Sequence, residues 1–207
     1  MSRPTEPTAR RRHPPAIRRR LIVEAARTCI ERDGLHATTV RAIAAEAAVS
    51  TGTITHHFAS VDEILGEVLS DASERFTKSW LAEVQALPTA IARMRHLVDA
   101  NLPDKPGALS LWRLWLDAWA IAARDPIVAQ VHSDRHASER ETIRSIILEG
   151  IDEGSMRQEI DVSAAAAEFL GLLDGLGLQA AIGDREVSSD RARAVLHGWI
   201  EDRLSPV

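Results

Sequence analysis

At 207 residues with 45% hydrophobic content and a single cysteine, the chain has enough apolar material for a packed core, which excludes a disulfide scaffold and a disordered polar chain. It has no run of about 18 apolar residues and no apolar segment of a secretory signal, so no membrane span is expected and a cytoplasmic location is. The net charge of -5 conceals an asymmetry: residues 1–58 carry 10 Arg against 5 acidic residues, whereas the remainder carries 15 Lys/Arg against 25 Asp/Glu. A basic quarter on an acidic body points to a nucleic-acid partner confined to one end.

Residues 1–15 hold Pro4, Pro7, Pro14, Pro15 and the run Arg10-Arg11-Arg12. They predict a disordered basic arm, either a solvated tail or a contact to DNA phosphates and the minor groove. From Ala16 to Asp33, Leu21, Ile22, Ala25, Ala26, Cys29 and Ile30 repeat on one helical face, and Gly34 ends the helix. Cys29 on that face reads as a buried small hydrophobe. Thr38-Thr39 open a second helix from Val40 to about Ala47, with Ile43, Ala44 and Ala47 inward. Val49-Ser50 is a short turn, with Ser50 as the N-cap of a third helix ending near Phe58. Ile54 and Phe58 share its apolar stripe, and no carboxylate lies between Glu46 and Asp62. Two short helices on a tight turn, behind a longer one, predict a helix-turn-helix over residues 16–60.

The body, residues 61–207, continues as helix. Ser60 and Glu63 form a capping box before a helix to about Leu87, whose apolar positions include Val61, Ile64, Leu65, Val68, Phe76, Trp80 and Val84. A helix from Thr89 to Leu102 follows, then a break at Pro103–Gly107. Trp112, Trp115 and Trp119 mark the next stripe. Asp125-Pro126 opens a long helix that stops at Gly154. Asp161 caps a helix apolar on nearly every side, closed by Gly183, and Ser188 opens the last. The sum is an all-α chain of about nine helices. It comprises an N-terminal helix-turn-helix domain and a larger helical domain for ligand binding and dimerisation.

The third helix exposes Thr51, Thr53, Thr55 and His56, and with Ser50 at its start these hydroxyls and ring nitrogens suit base edges or phosphates in a major groove. Gly52 lets the backbone approach DNA, or is simply tolerated near a helix start. Arg41, with the Thr38 and Thr39 hydroxyls at the second helix's N-terminus, suits a phosphate. In the body, the tryptophan stripe is either core or an aromatic wall. His96, Asn101 and Gln179 are possible polar lining of an apolar cavity beside it. Phe169, Leu173 and Leu176, with Val195 and Trp199 of the last helix, form a candidate homodimer surface, and Gly171 and Gly175 permit close helix approach there. His132 and His136 share a face at i, i+4, but two ligands do not make a metal site. A helical metalloenzyme using that pair is the rival from another class. No phosphate loop, nucleophile elbow or zinc-protease helix occurs, so neither catalysis nor a cofactor is expected.

Two segments carry a resemblance. Thr38-Thr39-Val40-Arg41, Ile43-Ala44, Ala47, Val49-Ser50, Gly52, Ile54 and His57-Phe58 resemble the DNA-binding signature of TetR-family transcriptional regulators. Trp115-Leu-Asp-Ala-Trp119, Arg124-Asp125-Pro126, Glu149-Gly150-Ile151, Gly154 and Leu172-Leu173-Asp174-Gly175-Leu176 are similar to its BetI-type branch. The resemblance spans residue 16 to about 204. It implies an all-helical homodimer on a palindromic double-stranded DNA operator, repression relieved by a small molecule, and a tilt of the long fourth helix on ligand binding. It assigns His57 a partly structural place beside the DNA contacts. It invites quaternary ammonium recognition at the tryptophans. Activation on the same fold remains an alternative. Four positions depart from the pattern: Ala48 stands for the turn glycine, Ala42 for a capping acid, Thr55 for a tyrosine, and Val61 for a lysine. The last two remove phosphate ligands, which gives the Arg-rich arm a compensating role.

Overall fold

The computed structural model describes residues 14–206; the expected arm lies outside them except for Pro14 and Pro15, and the side chains of Phe76 and Trp80 are also outside the description. Among the described residues the chain is all-helical, with nine α-helices, a 3-10 turn and no strand. It divides into two compact units at Ile64–Leu65.

The smaller unit begins with α1 (Pro15–Asp33), where Pro15 sits at a helix start that needs no N–H donor. A 3-10 turn (Leu35–Ala37), α2 (Val40–Glu46) and α3 (Thr51–His57) follow, and α4 (Val61–Gln85) starts here and continues into the larger unit. The buried stripe of α1 is Ile22, Val23, Ala25, Ala26, Cys29 and Ile30. Leu21 was expected in it but is 44% exposed. The stripe is centred on Ile22, Ala26 and Cys29 at i, i+4 and i+7, so Val23 falls inside its edge and Leu21 outside. Ile43, Ala44, Ile54 and Phe58 complete this core, and Phe58 enters it from just beyond the end of α3.

Side-chain caps start each short helix. Thr39 Oγ1 accepts from the Ala42 N–H at 3.2 Å, and Ser50 Oγ from the Thr53 N–H at 3.1 Å. Ser60 Oγ accepts from the Glu63 N–H at 3.0 Å, but the returning bond goes one residue further, from the Ala59 N–H to Glu63 Oε2 at 2.7 Å.

Ala48, in the turn between α2 and α3, has φ +53°. A Cβ in this left-handed region costs roughly 1–2 kcal/mol. Ala48→Gly relieves that contact and returns some unfolded-chain entropy, so a net gain of about 0.5–1 kcal/mol is expected. A differential scanning measurement in which A48G melts no higher than the parent would refute the strain.

The larger unit adds α5 (Ala90–Asn101), α6 (Pro106–Ala122), α7 (Pro126–Asp152), α8 (Val162–Ala181) and α9 (Ser189–Leu204). Its core gathers Met94, Val98, Ile147, Phe169, Leu196 and Ile200, each fully buried. Asp125 caps α7 by accepting from the Ile127 and Val128 N–H groups at 2.9 and 3.0 Å. The expected break at Pro103–Gly107 is shorter than read, because Pro106 already begins α6.

Helix α8 is less uniformly enclosed than its composition implies. Phe169 is 0% and Leu173 6% exposed within the single chain. Their area is spent inside their own subunit, with Phe169 against Trp199 at 5.6 Å between ring centroids. Neither can offer surface to a second copy, which corrects their placement at a dimer interface. The outward face of α8 carries Gly171 and Gly175 instead, with Ile182 just past its end, and that of α9 carries Val195, 37% exposed. Leu176 and Trp199 are partly buried.

Candidate DNA reader and ligand cavity

In the smaller unit α3 projects Thr51, Gly52, Thr55 and His56 outward, with Thr53 and His57 half-buried. Three of the polar side chains, Ser50, Thr53 and Thr55, are pre-set by local bonds. The Ser50 and Thr53 hydroxyls lie 2.9 Å apart, and Thr55 Oγ1 donates to the Gly52 carbonyl at 3.3 Å. A threonine held this way keeps its methyl in a fixed direction, which suits contact with a thymine methyl. Arg41 and Thr39 are exposed at the start of α2. Thr38 is not available: it is 9% exposed and its hydroxyl donates to the Gly34 carbonyl at 2.9 Å. Its role is to close the turn after α1, which corrects its place among the phosphate contacts.

The C-terminal end of α3 is braced by Arg19 of α1, which was not singled out from sequence. The Arg19 guanidinium donates to the His57 carbonyl, lies 4.0 Å from the Phe58 ring centroid, and pairs with Glu63 at 2.8 Å. Partial burial, the adjacent His56, and Arg18 and Arg19 together push the His57 imidazole below its ordinary pKa. Glu63 is held low by Arg19 and by the Ala59 N–H.

In the larger unit a cavity of about 50 Å³ opens among α5, α6, α7 and α8. Asn101, Trp112, Trp115 and Trp119 line it, as anticipated from their pattern. Two of the tryptophans are fixed by their N–H groups: Trp112 Nε1 donates to the Asn101 carbonyl at 2.6 Å, and Trp119 Nε1 to His132 Nδ1 at 3.0 Å. His96 and Gln179 do not line it. His96 Nε2 faces Glu83 at 3.0 Å, and Gln179 Nε2 donates back to the Gly175 carbonyl at 3.0 Å. Each lies on its helix off the face that bears Leu97 or Leu173, which do line the cavity.

The charged lining was missed from sequence. Arg135, Glu139 and Thr142 descend one face of α7, and Asp174 of α8 stands opposite. Two signals could have found them: the i, i+4, i+7 spacing of the first three, and the lone carboxylate of Asp174 in an otherwise apolar run. Arg135 Nη1 donates to Glu139 Oε1 at 2.6 Å, while Glu139 Oε2 is buried without a hydrogen-bond partner. Burial pushes the Glu139 carboxyl above its ordinary pKa, against the pull of Arg135. His136 Nε2 lies 3.0 Å from Asp174 Oδ2 and 2.9 Å from Arg135 Nη2.

His132 is neutral here on two grounds. An indole N–H only donates, so His132 Nδ1 must present a lone pair and the ring proton must sit on Nε2. Burial, His136 and Arg135 also push its pKa down to about 4. In the unfolded chain the imidazole returns to about 6.5 and binds a proton the folded state refuses between those values. Stability is therefore expected to fall as pH drops from about 6.5 to 4, and His132→Asn should flatten that decline. A parallel decline in both proteins would exclude His132 as its source.

Among the described residues no three His, Cys, Asp or Glu side chains converge as a metal site, and no helix is long and apolar enough to cross a membrane. The His132 and His136 rings lie 4.0 Å apart between centroids and tilted at 57°, with ring nitrogens turned to Trp119, Asp174 and Arg135.

Known proteins resemble this chain in sequence and fold. Residues 22–68 match the family model for bacterial regulatory proteins of the tetR family, and residues 90–205 match the model for the C-terminal part of BetI-type transcriptional repressors. The chain is 26% identical over 193 residues to the HTH-type transcriptional regulator BetI of Vibrio atlanticus, covering 92% of this chain and 94% of that one. It is 27% identical over 194 residues to BetI of Escherichia coli K12, covering 91% and 95%. A transcriptional regulator from Saccharomonospora viridis, crystallised in complex with choline, superposes with a TM-score of 0.80 at 30% identity, over 92% of this chain and 98% of that one. A TetR regulator from Haloarcula marismortui shares the fold, with a TM-score of 0.80 at 22% identity. These relatives are regulators rather than enzymes, and the chain belongs to the TetR family of transcriptional regulators, with a BetI-type C-terminal region.

Proposed function

We propose that this ligand-responsive regulator represses from a palindromic operator as a cytoplasmic homodimer, and releases it when a small quaternary ammonium ion enters the tryptophan-lined cavity. The observation that carries the ligand class is the wall of Trp112, Trp115 and Trp119 set against the Glu139 and Asp174 carboxylates. A cation whose charge is spread over methyl groups has no N–H to donate, so aromatic faces and nearby carboxylates are the groups that stabilise it. The choline held by the Saccharomonospora relative supports the same class.

The DNA contacts fall to Thr51, Gly52, Thr53, Thr55 and His56 of α3, in one major groove per subunit, with Arg41 and Thr39 on the phosphates. Ser50 orders the start of that helix and His57 its end. The dimer forms through the outward faces of α8 and α9. A Cβ at Gly171, Gly175 or Gly198 would meet open space, so two such faces can approach closely, with Ile182, Val195, Leu176 and Trp199 supplying apolar area. Ligand binding acts on DNA only through a difference in its affinity for the two states of the protein, and α4 is the element shared by both units.

The test uses choline, tetramethylammonium and 3,3-dimethylbutan-1-ol, the neutral carbon counterpart of choline. Calorimetry is expected to show the cations binding more tightly than the alcohol by roughly tenfold or more, since each cation–aromatic contact contributes about 0.5–2 kcal/mol. Footprinting near the regulator's own gene should show a palindrome protected by the wild type, exposed by choline and lost in Arg41→Ala. Equal affinity for alcohol and cation would sink the ligand class, and a footprint that choline leaves untouched would sink the coupling.

A further inference from the structure

We infer that the guanidinium of Arg135 is the resident occupant of this cation site, and that an entering effector must displace it. The inference rests on the cavity being a cation site, as proposed above. It makes Arg135 a built-in competitor that sets how much effector the regulator needs.

The geometry of Arg135 is that of a bound cation. Its Cζ lies 4.2 Å from the Trp115 ring centroid, its Nη1 is on Glu139, and its Nη2 is on His136. An aromatic face and a carboxylate are the two features an ammonium ligand requires, and the guanidinium covers both. The side chain is enclosed, with 12% of its surface exposed, and so is that of Glu139 at 19%.

A purely structural ion pair would use its polar atoms more fully. Arg135 Nε and Glu139 Oε2 are both buried with no hydrogen-bond partner. A buried pair left half-satisfied at a cavity wall is one that can be exchanged for another cation at little loss. His136 supplies the alternative arrangement. Its Nε2 stands within bonding distance of both Arg135 and Asp174, yet one ring nitrogen either accepts from the guanidinium or, carrying a proton, donates to the carboxylate. With Arg135 in place His136 accepts. With Arg135 gone, the proton moves to Nε2 and His136 donates to Asp174, while Glu139 exchanges the guanidinium hydrogen bond for the charge of the entering cation.

The consequence is quantitative. If the guanidinium fills the site nine-tenths of the time, apparent effector affinity is about tenfold weaker than that of the empty site. Arg135→Met, similar in length and uncharged, should therefore bind tetramethylammonium about tenfold more tightly than wild type in calorimetry, and Arg135→Lys should stay within about threefold. Equal or weaker binding by R135M overturns the inference. A second arm does not depend on the effector: millimolar methylguanidinium should raise the melting temperature of Arg135→Ala, and do so less in wild type and in the R135A/E139Q double variant. An equal response in all three overturns it.

A third arm needs no variant. Saturating tetramethylammonium should shift the ¹⁵N resonance of Arg135 Nε in wild type and speed exchange of its proton, and an unchanged resonance on a bound protein overturns the displacement. If tetramethylammonium binds no form while methylguanidinium still rescues R135A, the effector class fails and the occupancy of the site by Arg135 stands. If tetramethylammonium binds wild type and R135M alike and rescue is absent, the effector class stands and the displacement fails.

Discussion

Gly177→Ala is expected to lower the melting temperature of the protein by about 2–12 °C and to abolish effector binding. A Cβ at Gly177 would lie 2.2 Å from Trp112 Cζ2, 2.5 Å from Cη2 and 3.0 Å from Cε2. Those atoms belong to a rigid ring that cannot fold away. The indole is also tied to the Asn101 carbonyl and meets Trp119 edge-on at 6.1 Å. The methyl must push Trp112 into the cavity it lines, or force α8 outward. Overpacking of this kind costs about 1–3 kcal/mol, and in a protein of this size each kcal/mol is roughly 2–4 °C. Gly171→Ala is the contrast. Its Cβ meets nothing within 4 Å, so the single chain should gain helix stability of about 0.5–1 kcal/mol. If the α8 and α9 faces meet in a dimer, the same change should weaken self-association in analytical ultracentrifugation. A G177A protein that melts with wild type and still binds choline would show that the indole has a free path.

Deleting residues 1–13 is expected to weaken operator binding about 100-fold at 0.1 M salt and to flatten the slope of log K against log salt by about 3. The deletion removes Arg3, Arg10, Arg11 and Arg12 and leaves the Pro14-Pro15 start of α1 intact. The magnitude follows from what the reading helix lacks. Thr55 turns its hydroxyl to the Gly52 carbonyl, Val61 brings an apolar side chain to the start of α4, and Thr38 is closed off against Gly34. Few phosphate contacts remain there besides Arg41, so the counterion-releasing charge must sit elsewhere. Base preference should survive the deletion, because arms hold and helices read. Thr53→Ala should do the reverse, changing the preferred sequence while leaving the salt slope in place. An unchanged slope after deletion would move the phosphate contacts to α1.

The helices were legible because their signals are local. Ser50, Ser60, Asp125, Asp161 and Ser188 each cap a helix where the sequence puts an acceptor before an apolar run. Ile54 and Phe58 enter the core as their spacing requires. What failed needed knowledge of the partner across the gap. Periodicity says that Phe169 and Leu173 are buried, but not whether by their own chain or by a copy. The same pattern offers His96, Asn101 and Gln179 alike as lining, and only Asn101 reaches the cavity, since one helical step separates a cavity from a neighbouring carboxylate. Arg135 and Glu139 were passed over because charges on a helix usually mark its wet side, and only tertiary packing turns this pair inward. Thr38 reads from sequence as a phosphate ligand, and only the Gly34 carbonyl, brought near by the turn after α1, turns its hydroxyl inward.

The bracing of α3 by Arg19 bears on how this regulator can be rebuilt. Arg19, the His57 carbonyl, Phe58 and Glu63 form one knot drawn from three helices, and all of it lies before residue 65. A hybrid sensor joined at residue 60, where the sequence suggests a seam, would strand Glu63 on the recipient side and leave Arg19 without its carboxylate. A graft carried through Ile64 takes the knot whole. The reading head is thus transplantable as a cassette, provided the splice is made one turn inside the fourth helix rather than at its beginning.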